Sequence, residues 1–223
     1  QLPEIVDMNM PAEGVFHNLV IISIDKRFPM QARRLMNALW GMGQMSFVKT
    51  IVVVDSTIDV HDTEEIFNLL LNKIDFKRDL FLSEGILDVL NHASDRIVYG
   101  SKLGIDATNK IEGEGGFEIK SKNIKTAPPP LPKKILEDFT EFTSCQIMQR
   151  EDQHQTVIAT LNKNFPHQGR KVIDKFMNDK KYSSITVLVI LEGHENVNDT
   201  STVLWKILNN IDPKRDIHYF GNR

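Results

Sequence analysis

The chain has 223 residues, which is enough for one large α/β domain or two small ones. Hydrophobic residues at 41% and charged residues at 26% exclude the disordered, collagen-like and coiled-coil classes, and a net charge of −3 gives no footprint of nucleic-acid or membrane-surface binding. Because the single cysteine, Cys145, excludes an internal disulfide framework and no long apolar run predicts a spanning helix, we expect a soluble cytoplasmic protein.

The chain opens at Gln1 without an initiator methionine, and residues 1–7 contain neither the basic nor the apolar part of a signal peptide. We interpret it as a piece of a longer protein. Active-site residues are therefore expected to lie partly on chain that precedes Gln1.

The first predicted elements alternate between strand and helix. Short apolar, β-branched runs at 20–24 and 51–54 are typical of strands buried on both faces. Pro29 suits a first helical turn before apolar residues at helical spacing up to Trp40, and a second helix is predicted from Asp62 or Thr63. A strand near 79–82 completes a β-α-β-α-β unit with right-handed crossovers.

This unit recurs farther along the chain. Residues 20–33 are similar to 157–170, and the same offset of 137, without a gap, relates 62–63 to 199–200 and 72–79 to 209–216. We infer two copies, at about 16–86 and 153–223. The second copy is then expected to contain strands at 187–191 and 216–220.

The sequence between the copies has a different character. A short helix is predicted at 86–91, and 100–110 has no clean period, so it is interpreted as a loop that carries chemistry. A glycine cluster and a proline run make 112–132 a mobile linker, with a proline-rich ligand as the alternative, and an amphipathic helix containing Leu136, Phe139 and Phe142 follows.

The fold class predicted from these elements is α/β, with two duplicated βαβαβ units forming mostly parallel sheets covered by helices. The predicted domains are 1–111, a linker and connecting helix at 112–152, and the second copy at 153–223.

Several motifs are weighed against simpler explanations. The segment 100–104 has the glycines and lysine of a phosphate cradle but not the spacing of a P-loop, and no Gly-x-Gly-x-x-Gly follows a strand, which disfavours a nucleotide-dependent oxidoreductase. None of the seven histidines has a partner at His-x-x-x-His spacing, and Cys145 has no catalytic signature. The twin runs 77–79 and 214–216, both Lys-Arg-Asp, fit either a charge-paired turn or an anion clamp.

Six stretches of the first half closely resemble the UbiD family: 2–18, 32–40, 52–55, 59–62, 75–79 and 93–110. The resemblance covers about 1–112 and corresponds to the C-terminal α/β domain of these enzymes, which decarboxylate aromatic and α,β-unsaturated acids. It implies prenylated FMN, with a divalent metal and a monovalent cation, for the full-length protein.

The family's catalytic Glu-Arg-Glu network belongs to preceding N-terminal and split-barrel regions, and no segment of this chain matches it. The resemblance therefore implies no catalytic, cofactor-binding or metal residue here, and the partners it implies are those missing regions and further copies in a homo-oligomer. A possible active-site wall or interface loop comprises Gly100, Ser101, Lys102, Gly104, Asp106, Thr108 and Lys110.

On this reading the chain is the non-catalytic assembly region of a decarboxylase for a quinone-precursor acid such as prenylated 4-hydroxybenzoate. A separate α/β module that binds a small anionic ligand is the alternative. The second copy is interpreted as a departure from ordinary relatives, which end soon after residues 106–108 and one helix.

Overall fold

A computed structural model describes residues 2–115, 131–149, 155–193 and 195–220. It divides into two units, Gln1–Ile119 with Leu204–His218, and Lys120–Val203 with Tyr219–Arg223. Within the described residues, none of the helices is long and apolar enough to cross a lipid bilayer.

The first unit is built on a five-stranded sheet. Its strands are β1 (Ile5–Asn9), β2 (Leu19–Ile24), β3 (Thr50–Asp55), β4 (Leu80–Ile86) and β5 (Tyr99–Asp106), in the order β1-β2-β3-β5-β4. The three inner strands are parallel, and both edge strands are antiparallel to their neighbours.

Helices cover the two faces of this sheet. On one face, α1 (Gln31–Trp40) buries Leu35 and Met36 against β2 and β3. On the other, α2 (Thr63–Lys73) packs beside Val52 and Val54. Both faces are covered, which explains why β2 and β3 read as continuous apolar runs.

The second unit contains a three-stranded sheet, β6 (Phe142–Gln149), β7 (Gln155–Leu161) and β8 (Ile185–Glu192), in that order. Helices α3 (Pro132–Asp138) and α4 (Gln168–Asn178) contribute to its core. Four aromatic rings, with centroids 4.7–6.2 Å apart, lie at the centre of this core: Phe139, Phe142, Phe176 and Tyr182.

The last two helices are α5 (Thr200–Asn210) and α6 (Pro213–Asp216). From Leu204 onward this segment belongs to the first unit, where Leu208 is buried in the same cluster as Ile66 and Leu69.

Elements at the 137-residue offset coincide closely. The antiparallel pair Ile5 and Ile24 has its counterpart in Phe142 and Leu161, and each is followed by an irregularity in the strand register at the equivalent position. The parallel pairs of β2 with β3 likewise match those of β7 with β8, and α5 begins 137 residues after α2.

The α/β class is confirmed, while several local predictions are wrong. Residues 86–91 form no helix, because the chain ends β4 at Ile86 and then turns. Most of the predicted loop at 100–110 belongs to β5, which lies between β3 and β4 in the sheet. Its glycines and polar residues do not show the alternation of apolar and polar residues by which a strand is predicted from sequence. Residues 216–220 form no strand: Asp216 ends α6, and 217–220 have no regular secondary structure.

The connecting region also differs from the prediction. The helix ends at Asp138, and Phe142 begins β6, an edge strand with a polar alternation that was not recognised. β1 was missed in the same way. The predicted linker at 112–132 lies mostly outside the described residues.

Candidate functional site

A charged part of the first unit follows the carboxyl ends of its parallel strands, where open α/β sheets commonly hold ligands. Lys26 follows β2, Asp55 ends β3, and the segment 106–115 follows β5. The backbone N–H of Asn109 donates to Asp55 Oδ2 at 2.8 Å, which fixes that segment beside β3.

Lys26 and Glu114 form a buried ion pair at this edge. The ammonium lies 2.5 Å from Glu114 Oε2, and the two side chains are only 4% and 2% exposed. Lys26 also donates to Thr108 Oγ1 at 2.8 Å and to the carbonyl of Asn109 at 2.9 Å. All three donor positions of the ammonium are therefore used.

Glu114 also accepts from two backbone amides, Met30 N at 2.7 Å and Ile111 N at 2.9 Å. Burial by itself would raise the pKa of Glu114, but the hydrogen bonds from Lys26 and these amides hold the pKa below its ordinary value. The carboxylate thus stays charged and ties the segment 106–115 to the start of α1.

A second group of charges lies around Asp79. Arg78 binds this carboxylate through two nitrogens, at 2.6 and 2.8 Å, and Lys110 lies 3.2 Å from it and 3.0 Å from Asp106. Burial would raise the pKa of Asp79, yet the partners Arg78 and Lys110 and an amide hydrogen bond from Asp75 lower it. This network neutralises its own charges and serves to position the chain.

The residues predicted for the site fall into two groups. Asp106, Thr108 and Lys110 come together at the carboxyl edge, where Thr108 donates to Asp106 Oδ1 at 2.5 Å. The other predicted residues, Gly100, Ser101, Lys102 and Gly104, lie within β5 and not on a loop.

Two of those strand residues, Lys102 and Gly104, have a packing role. Lys102 is 2% exposed and donates to the carbonyls of Ser46 and Val48 at 2.6 and 2.9 Å, and burial lowers its pKa to about 8. A side chain at Gly104 would place a Cβ 2.4 Å from the sulfur of Met36. Lys102 and Gly104 therefore face the interior of the unit.

The amino ends of the strands hold a second polar cluster. Ser101 Oγ donates to Asp212, and Lys49, which is 1% exposed, donates to Asn91 Oδ1 at 3.0 Å and to the carbonyl of Ile211 at 3.1 Å. Burial lowers the pKa of Lys49 to about 8. A cavity of about 380 Å³ adjoins this cluster, lined by Glu84, Asp95, Arg96, Tyr99, Gly100, Ser101, Asp212, Lys214 and Arg215.

The twin Lys-Arg-Asp runs have the same internal geometry. Arg215 binds Asp216 through two nitrogens at 2.8 and 2.7 Å, as Arg78 binds Asp79. The backbone N–H of Asp212 donates to Asp216, as that of Asp75 donates to Asp79. This geometry fits the charge-paired turn, because each guanidinium is already engaged by the adjacent carboxylate.

The sequence alone did not indicate that Lys26, Glu114 and Lys49 form buried polar contacts. Lys26 stands in the repeated segment, but nothing local indicates that its partner lies 88 residues away. Among the described residues, no three or more His, Cys, Asp or Glu side chains are grouped so that they could hold a metal ion. His154 and His194 lie outside the described residues.

Comparison with known proteins extends the resemblance beyond the first copy. The sequence model of the 3-octaprenyl-4-hydroxybenzoate carboxy-lyase C-terminal domain matches residues 1–107 and 133–223. The match therefore includes the second copy, which was interpreted as a departure from the family.

Two relatives illustrate how much of the chain is shared. A Helicobacter pylori (strain J99) protein is 33% identical over 230 residues, covering 96% of this chain and 33% of that protein. An Archaeoglobus fulgidus protein is 46% identical over 114 residues, covering 51% of this chain and 24% of that protein. The chain thus spans about a third of the length of the first relative and a quarter of the second.

Among solved structures, the UbiD-class enzyme HmfF from Pelotomaculum thermopropionicum in complex with FMN is 28% identical, with a TM-score of 0.45 over 61% of this chain and 29% of that chain. The family model covers most of the present sequence in both copies. The chain belongs to the UbiD family and is a C-terminal domain of the carboxy-lyase type.

Proposed function

We propose that this chain is the non-catalytic assembly region of a UbiD-type decarboxylase. The parent enzyme would act on an aromatic or α,β-unsaturated acid of the quinone-precursor type, such as prenylated 4-hydroxybenzoate, in the cytoplasm and as a homo-oligomer. The observation that carries the proposal is the closed charge network at the carboxyl edge, where Lys26, Arg78 and Lys110 are already bound to carboxylates.

The charge network at the carboxyl edge does not fit the phosphate of prenylated FMN with its divalent metal and monovalent cation. A flavin phosphate needs cations or amides that are free to bind it, and the ammonium of Lys26 uses all its donors within the chain. We therefore place the cofactor and the catalytic residues on the other two thirds of the protein, in its N-terminal and split-barrel regions.

Within this role, the segment 106–115 is proposed as the wall that faces those regions. Asp106, Thr108 and Lys110 hold it in one conformation through contacts with Asp79 and Lys26. A rigid segment costs less conformational entropy when another domain packs on it. The coincident strand registers support a further proposal, that the two copies arose by internal duplication.

The test compares this chain with a full-length relative. Prenylated FMN is titrated into residues 1–223 and into the Helicobacter pylori relative, with flavin fluorescence as the readout, and carbon dioxide release is measured with a panel of aromatic and α,β-unsaturated acids. We expect binding and turnover only by the full-length protein. Deletion of the region equivalent to this chain should change the mass of the assembly in solution.

Tight binding of the flavin by residues 1–223 alone would overturn the proposal. The alternative, a module for small anions, is distinguished in the same experiment by calorimetric titration of the acids into this chain without flavin. Saturable binding of an acid there would favour the module.

A further inference from the structure

The cavity at the amino ends of the strands carries an arginine whose guanidinium forms no hydrogen bond. This cavity of about 380 Å³ is lined by residues from 84–101 and 212–215, all of which belong to the first unit. Seven arginines lie in the described residues, and six of them use the guanidinium in a hydrogen bond. The seventh, Arg96, has neither a hydrogen bond nor an ion pair there, and its Cζ lies 5.8 Å from the ring centroid of Tyr99. Its five N–H donors remain for a ligand.

A tight turn fixes the backbone that carries Arg96. Arg96 and Tyr99 form an isolated β-bridge, and Leu87 N donates to the carbonyl of Val98 at 2.9 Å. Val98 has a φ of 55°, which is a strained conformation for a β-branched residue. Strain of this kind persists only where the surrounding contacts determine the backbone, so the turn holds Arg96 beside the cavity.

The other two cations of the lining already have partners. Lys214 is ion-paired with Glu84. Arg215 binds Asp216 through two nitrogens at 2.8 and 2.7 Å, and it donates to the carbonyl of Ala93 at 2.8 Å. Arg96 is therefore the cation of this lining that has the capacity to bind an acidic group.

Of the three carboxylates in the lining, Asp95 is the least engaged. Glu84 is paired as described, and Asp212 caps α6. Asp95 is 89% exposed, and its ion-pair partner, the Nη1 atom of Arg215, lies 3.5 Å away. Asp95 and Arg96 thus place two available groups of opposite charge at neighbouring positions of the chain.

We propose that this cavity binds an aromatic α-amino acid. The carboxylate of the ligand pairs with the guanidinium of Arg96, its ammonium pairs with Asp95, and its ring packs against the ring of Tyr99. One carbon joins the two charged groups of such a ligand, which suits two receptor groups on adjacent residues. A cavity of about 380 Å³ is at the small end of the range for ligand sites and suits a molecule of this size. The inference goes beyond the assembly role proposed above and does not depend on it.

Charge balance favours a zwitterion over a simple anion. The lining contains three cationic and three carboxylate side chains, so its net charge is zero. A dianion such as phosphate would meet three carboxylates with one available guanidinium. A carboxylate suits that guanidinium, because two parallel N–H···O bonds can form, and an ammonium on the same ligand offsets the nearby carboxylates. We therefore expect aromatic acids without an amino group to bind weakly, which separates this inference from the small-anion module.

Three ligands that share one ring test which groups are recognised. L-phenylalanine carries both charges, 3-phenylpropanoate lacks the ammonium, and 2-phenylethylamine lacks the carboxylate. Calorimetric titration into the full chain should show saturable binding of L-phenylalanine, with a Kd of about 1 mM or tighter. Each of the other two ligands should bind about ten-fold more weakly, because each loses one hydrogen-bonded charge pair.

Two variants assign each charge of the ligand to its residue. R96Q should abolish the preference for L-phenylalanine over 2-phenylethylamine, and D95N should abolish the preference over 3-phenylpropanoate. R170Q is the matched control, since it changes an exposed arginine of the second unit, and it should leave all three affinities unchanged. Circular dichroism checks the folding of each variant.

Nuclear magnetic resonance provides a second measurement that needs no variant. Titration of L-phenylalanine into the ¹⁵N-labelled wild-type chain should shift the backbone amide signals of residues that line the cavity, such as Tyr99, Ser101 and Lys214. The signals of Arg170 and its neighbours in the second unit should not move.

Four outcomes would overturn the inference: no saturable binding of L-phenylalanine up to about 10 mM, equal binding of 3-phenylpropanoate, unchanged affinity in folded R96Q, or signal shifts confined to residues away from the cavity. The assembly role is judged separately, by flavin titration and by deletion in the full-length relative. A chain that binds neither the flavin nor L-phenylalanine would refute only the amino-acid site.

Discussion

Met30 and His167, which lie 137 residues apart, adopt the same left-handed backbone conformation, with φ of 61° and 60°. Each immediately precedes a helix, α1 or α4, and neither side chain forms a capping hydrogen bond. The two copies therefore share a strained turn, because a residue with a Cβ adopts this backbone conformation only at a steric cost.

Replacing either residue by glycine should stabilise the protein. Glycine adopts positive φ without a steric cost, and the relief should exceed its greater entropy in the unfolded chain by about 0.5 kcal/mol. Urea unfolding of M30G and H167G measures the gain. M30A and H167A are the controls and should show no gain, because alanine keeps the strain.

The ion pair of Lys26 and Glu114 should contribute strongly to stability. E114Q leaves a buried ammonium without its carboxylate, so we expect a loss of about 3 kcal/mol in the free energy of unfolding. The double variant K26M/E114Q should lose less than the sum of the single variants. An additive result would show that the two groups do not interact.

Acid unfolding provides a separate prediction for Glu114. Because its pKa in the folded state is below the ordinary value, its contribution is complete above that ordinary value and is lost as the pH falls through the lower folded value. Stability of the wild type should therefore decline more steeply with acid than that of E114Q, as measured by thermal unfolding from pH 6 to pH 3.

Stability should rise with pH above neutrality. Lys102 and Lys49 have pKa values of about 8 in the folded protein, below the unfolded value of 10.5, so the unfolded state binds more protons between these limits. The loss of folding free energy that comes from burying these two charged ammonium groups is largest below pH 8, and it disappears as the pH rises toward 10.5.

Substitution of these lysines tests the source of the rise. The free energy of unfolding, measured with urea at pH 7.5 and 9.5, should increase less between these pH values in K102M than in the wild type. It should increase still less in K49M/K102M. A pH dependence unchanged in both variants would show that other groups are responsible.

Gly104 should not tolerate a side chain. Alanine there would bring its Cβ to 2.4 Å from the sulfur of Met36, and such overpacking costs about 1–3 kcal/mol. The G104A/M36A variant removes the clash, so its loss should be smaller than the sum of G104A and M36A. Thermal unfolding of the four proteins provides this cycle.

The sequence predicted the buried apolar strands and the helices that repeat, whereas it missed the repeated edge strands β1 and β6 and the polar strand β5. Continuous apolar runs predict β2 and β3, and apolar residues at helical spacing after the N-cap Asp62 predict α2. β5 was not predicted, since Gly100, Lys102 and Gly104 are poor strand residues that only the contacts of a central position make favourable.

The site was predictable to a similar degree. The resemblance indicated 100–110 as important, and its last residues do lie at the carboxyl edge of the sheet. The ion pair of Lys26 with Glu114 depends on tertiary structure, because no local pattern joins residues separated by 88 positions.

The segment 204–218 has a consequence for synthesis on the ribosome. Asn18 donates to Asn209, and Lys49 donates to the carbonyl of Ile211, 191 and 162 positions away in sequence. At a translation rate of roughly 5–20 residues per second, the first unit waits about 5–20 s for chain that completes it. Throughout that interval the buried Lys49 has Asn91 as an acceptor but lacks the carbonyl of Ile211, so the hydrogen bonds of this unit are completed only after its own sheet has been synthesised.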